Sequence, residues 1–130
     1  MLAIAAAAIF AVLGFLHLLY TFDDDWRSPR HFPPRDKALL EAMKQTKLAL
    51  APHGHDFWAT LVGFHYSHSI GVLLVALLIV VASLYDIAWL RLILIGVGTA
   101  YTVIAWRYWF HIPLIGVLTA TLLLVAAWAF

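Results

Sequence analysis

The chain has 130 residues, 65% of them hydrophobic and 12% charged, with a formal net charge of +1. A soluble domain carries roughly 25% charged residues, so the composition points away from one. The near-neutral charge and the lack of a basic face give no case for nucleic-acid binding, and the absence of cysteine removes disulfides, thiolate metal sites, iron–sulfur clusters and CxxC redox chemistry.

Residues 2–20 form a first apolar run. About 20 such residues cross the hydrocarbon core as a helix. No Lys or Arg precedes the run and it ends in Tyr20-Thr21-Phe22-Asp23, which is unlike a cleaved signal. Ala3, Ala7, Ala11 and Gly14 repeat at helical spacing, suited to close helix contact in lipid. His17 and Thr21 share one side of this helix.

Residues 22–56 are the one sizeable hydrophilic segment. Pro33-Pro34 stops a helix there. Asp36 to Leu50 is expected to form a short amphipathic helix, capped by Asp36. Leu39, Leu40, Met43 and Leu50 lie on one side, with Lys37, Glu41, Lys44 and Gln45 mainly away from it. Such a helix lies in the membrane interface or packs over the bundle mouth. Asp56 is placed to cap the next helix.

The second span is expected at 57–85, the third at 87–106 and the fourth at 113–130. Asp86 marks the first tight turn. Arg107-Tyr108-Trp109-Phe110-His111 forms the next one, an aromatic belt, and Pro113 suits a first helical turn. The expected fold class is therefore an all-α membrane protein: four transmembrane helices in an up-down bundle, a single domain, with a short amphipathic helix in the first loop. Seven of the eight Lys and Arg residues fall on the side of the long loop and one, Arg91, on the other. The positive-inside rule then makes the loop cytoplasmic and both termini external.

Seven histidines are many for this length. His31, His53 and His55 lie in the hydrophilic loop, where solvation is the plain explanation. His17, His65, His68 and His111 come from three expected helices and should occupy the cytoplasmic half of the bilayer. Polar groups at such depth are costly and point to function. Gly63, Ser67 and Gly71 make a small-residue stripe expected to pack on a neighbour, with His65 and His68 on a separate face. Three readings are open. The imidazoles hydrogen-bond to Thr21, Ser67, Ser69, Tyr101 or Thr102 and are structural. Or His65, His68, His17 and His111 ligate a metal ion or a haem. Or, with Arg107 and Tyr101, they line a site for a lipid head group or quinone-like molecule. No nucleophile–base–acid set is marked by spacing, so no enzyme class emerges.

Three stretches carry a resemblance: Phe57 to Gly71, containing Gly63-Phe64-His65-Tyr66-Ser67-His68-Ser69; Arg107-Tyr108-Trp109-Phe110-His111-Ile112-Pro113; and Gly14-x-x-His17. With them the chain resembles an uncharacterised family of small bacterial four-helix integral membrane proteins with no assigned activity. That resemblance implies four helices and a bacterial origin, and the expected location is then the bacterial inner (cytoplasmic) membrane. It carries over no catalytic residue, cofactor or substrate.

The expected function is a histidine-centred polar site in a small membrane protein. The alternative is an accessory or scaffold subunit of a larger membrane complex. The partners expected are the lipid bilayer and a membrane protein partner or a second copy of the chain.

Overall fold

The structure, a computed structural model, describes residues 1–129 and is all-helical. Phe130, the last residue of the expected fourth span, lies outside the described residues. Five helices succeed one another: α1 (Leu2–Trp26), α2 (Lys37–Gln45), α3 (Phe57–Leu84), α4 (Ala88–Tyr108) and α5 (His111–Ala129). All but α2 are long and apolar enough to cross a membrane.

Two boundaries differ from expectation by more than two residues, and the expected turn of residues 107–111 shortens to Trp109-Phe110 because α4 runs to Tyr108 and α5 begins at His111. Helix α1 continues six residues past residue 20 to Trp26, through the three aspartates. Asp23 pairs with Arg27 one turn on, and Asp24 finds partners in the backbone of residues 30–32, so the polar turn stays helical. Helix α2 stops at Gln45 rather than Leu50. Thr46 is extended, its carbonyl accepts from Phe57 N–H at 2.8 Å, and Lys47 forms an isolated antiparallel bridge with Asp56. That pairing takes the backbone groups a longer α2 would need. Asp36 caps α2 by accepting from Ala38 N–H, and Asp56 caps α3 by accepting from Ala59 N–H.

The contacts divide the chain into two compact units, and the division falls within α1 and α3. One unit comprises residues 1–15 and 71–130. Its core joins Ala3, Ala6, Ala7 and Phe10 of α1, Val72, Ala76 and Ile79 of α3, Leu90 and Leu94 of α4, and Val117 and Leu124 of α5. Small residues set the approach here. A methyl group added at Gly14 would meet Val72 and Leu73 at 3.1 Å, and one added at Gly98 would meet Thr121 Oγ1 at 2.6 Å. Tyr101 packs edge-on to Phe10, with ring centroids 6.5 Å apart. The turn between α3 and α4 places Asp86 in the left-handed region (φ 54°), and its carboxylate pairs with Arg91.

The other unit, residues 16–70, holds the end of α1, the hydrophilic segment, α2 and the start of α3. Helix α2 buries no residue. The Gly63–Ser67–Gly71 stripe is not the packing face expected of it. Gly63 and Ser67 are exposed, with open space around Gly63, and Gly71 meets only the Tyr101 hydroxyl, at ordinary contact distance. The buried side of α3 instead carries Trp58, Val62, Ser69, Val72, Ala76 and Ile79, with His65 in the same row. These positions alternate four and three residues apart, the spacing of a helix–helix seam. On α1 the equivalent row is Ala3, Ala7, Phe10, Gly14, His17, Thr21 and Asp24.

Candidate functional site

His17 and His65 thus sit on the inward rows of their helices, which brings one imidazole against the other. His17 Nε2 and His65 Nδ1 are 3.1 Å apart and share a hydrogen bond, the tautomer deciding which nitrogen donates. Their ring centroids are 5.1 Å apart. His68, one turn further along α3, places its ring 5.2 Å from that of His17, edge-on. All three are half-buried.

Two phenylalanines wall this group. Phe32 stacks on His65 at 4.2 Å and 18° and touches His17 at 4.7 Å. Phe64 lies nearly parallel to His68 at 6.1 Å. Three of the hydroxyls expected near the imidazoles turn back on their own helices. Thr21 donates to the His17 carbonyl, Ser69 to that of His65 and Ser67 to that of Phe64. This is the usual satisfaction of a serine or threonine inside a helix.

Phe32 belongs to the irregular segment after α1, and one carboxylate holds it there. Asp24 is 2% exposed. Its Oδ1 accepts from Arg30 N–H at 2.7 Å and His31 N–H at 3.0 Å; its Oδ2 accepts from His31 N–H at 3.1 Å and Phe32 N–H at 2.8 Å. The segment reads Pro29-Arg30-His31-Phe32-Pro33-Pro34. Prolines have no N–H, so Asp24 takes every backbone donor between residues 29 and 34. Around it, Arg27, Arg30 and His31 all reach the Asp23 carboxylate, and His31 stacks on Tyr20 at 4.5 Å. Tyr66 of α3 donates to Asp25 of α1 at 3.0 Å.

Asp23, Asp24 and His31 also bring three potential metal-ligand atoms close together. The oxygens of Asp24 are occupied by backbone donors and Asp23 is paired with two arginines, so the protein itself fills this donor set.

The remaining expected site residues lie in the unit of residues 1–15 and 71–130. His111 opens α5 and is exposed. Arg107, in the last turn of α4, is exposed over the Tyr108 ring at 6.0 Å. Tyr101 joins the apolar core of that unit. In the hydrophilic segment, His53 and His55 are exposed.

Sequence reasoning missed Asp24 and Phe32. Asp24 was within reach, because it falls seven residues after His17 on the same helical face. Phe32 had no such signal: its place depends on how the irregular segment returns. Comparison with known proteins finds no matching family model, no matching curated protein and no matching solved structure.

Proposed function

We propose that this is a small membrane protein that binds a transition-metal ion between His17 and His65, with His68 as the third imidazole. The separation of His17 Nε2 from His65 Nδ1, 3.1 Å, carries this reading. Two metal–nitrogen bonds of about 2.0–2.1 Å meeting at about 90–109° hold their nitrogens about 2.9–3.4 Å apart. An ion can take the place of the shared proton without separating the helices, that proton moving by tautomer exchange to the other nitrogen of its own imidazole. Imidazole-only ligation suits zinc, copper, nickel or iron and disfavours magnesium and calcium.

The same distance argues against haem. Axial imidazole nitrogens stand on opposite faces of a porphyrin, about two bond lengths or ~4 Å apart, farther than this pair stands. Binding should weaken as pH falls, because protons compete for the ligand nitrogens.

Protein purified without a histidine tag, given zinc or copper(II) and then dialysed, is expected to retain metal in stoichiometric amount. The His17→Ala/His65→Ala protein is expected to lose it. A wild-type preparation that stays metal-free sinks this reading.

We further propose that the hydrophilic segment is cytoplasmic and both termini external, as the Lys and Arg distribution favours. A C-terminal reporter active only in the cytoplasm would reverse that orientation. The accessory-subunit reading draws on a different feature. Ala7, Ala8, Ala11, Leu73, Ala76 and Leu77 line an open apolar groove of about 370 Å³ along α1 and α3. Small residues in such a groove suit a neighbouring transmembrane helix.

A further inference from the structure

We infer that the segment Arg30–Phe32 is a plug seated on the histidine site, with Phe32 as the residue that controls access and Asp24 as its latch. The inference rests on the reading of that site as a place where a ligand binds, and it concerns how the ligand reaches it.

Depth is the first argument. His65 lies eight residues into α3, about 12 Å along the helix axis. The Phe32 ring meets it there at 4.2 Å. A non-helical segment therefore reaches down beside a membrane-spanning helix. Irregular backbone is tolerated at such depth only where protein satisfies its polar groups. Asp24 does this for all three N–H groups the segment owns.

Placement is the second. Phe32 contacts both imidazoles of the 3.1 Å pair, His65 face to face and His17 at a tilt. Lifting one ring uncovers both candidate ligands together.

The mode of attachment is the third. The backbone of the segment is held by one side chain, Asp24. Asp23 and Tyr20 secure its outer residues, Arg30 and His31, while Phe32 is held by one N–H bond and its ring contacts. Prolines at 29, 33 and 34 stiffen the segment, so it moves as a piece. An arriving ion meets the aromatic face of Phe32 first. A bare ion passes once the ring swings aside, and a bulky chelate is turned away.

Histidine acylation by diethyl pyrocarbonate, read residue by residue by mass spectrometry in nanodiscs, tests this without any metal. Phe32→Ala is expected to raise the rates at His17 and His65 about tenfold, the scale of the lost ring contacts. Phe32→Leu, which still covers the pair, should restore most of the protection. His53, His55 and His111 serve as references and should not change. Asp24→Asn retains one acceptor oxygen in place of two and should raise the same two rates. Unchanged rates at His17 and His65 in Phe32→Ala overturn the plug, as does a loss of amide-exchange protection along residues 72–80 in the same variant, which would report general unfolding. A rise in Phe32→Ala without one in Asp24→Asn overturns the latch.

Metal retention is measured separately, so the two ideas fail separately. Protection lost in Phe32→Ala from a protein that never binds metal upholds the plug and sinks the metal. Metal bound with unaltered acylation in the variant does the reverse.

Discussion

At the scale of single residues, the His17–His65 contact joins two helices through one shared proton. Removing either imidazole leaves the other half-buried and short of a partner, and removing both strands neither. The two single alanine variants should therefore destabilise by more, in sum, than the double variant. Polar pairs in membranes give coupling energies of about 0.6–1.7 kcal/mol. Unfolding in detergent, run on the metal-free protein as a double-mutant cycle, should return a value in that range. A coupling of zero would mean that the bond at 3.1 Å contributes nothing. The histidine pair is partly legible in the sequence. Depth along the apolar runs singles out the residues, but the row that joins them emerges only with burial. His17 comes after Ala3, Ala7, Phe10 and Gly14 in a four–three spacing, and His65 after Trp58 and Val62 in another.

At the scale of the elements, glycine identity matters at some positions and not at others. Gly98 faces Thr121, whose hydroxyl bonds to the Val117 carbonyl and whose β-branch leaves it little freedom. Gly98→Ala should push α4 from α5 and lower stability by about 1–3 kcal/mol. Gly63→Ala, with nothing within 4 Å of the new methyl, should be neutral or stabilising by up to about 1 kcal/mol from helix propensity alone. Thermal unfolding of the two variants in one detergent distinguishes them; equal losses would contradict the packing described. Spacing could not separate these glycines beforehand. Ala59, Gly63, Ser67 and Gly71 repeat every fourth residue along α3, yet burial places the neighbours on the side of Ser69 and Ala76. The number and type of helices were legible because long apolar runs leave few alternatives. The end of α1 was not, because three consecutive aspartates look like a loop until their partners are known.

At the scale of the molecule, the two units are held by different forces. The unit of residues 1–15 and 71–130 contains the connected apolar core. In the unit of residues 16–70 the buried positions are few: Trp58 and Val62 beside the polar Thr21, Asp24 and Ser69. Local opening tracks local burial. Amides of 62–70 should therefore exchange faster in deuterated buffer than those of 72–80, although all belong to one continuous helix. Uniform protection along α3 would show that the polar contacts hold as firmly as the core.

The last turn of α1 has one more consequence. A helix presents partial negative charge at its C-terminal end, and this one ends in Asp23-Asp24-Asp25-Trp26. Three carboxylates at the negative pole make it the electrically least favourable helix end in the chain. Arg27, Arg30 and the backbone donors of 30–32 offset that repulsion, and all of them come later in the sequence. The turn depends for its stability on residues 27–32, so the end of α1 and the proline-rich return form as one cooperative hook.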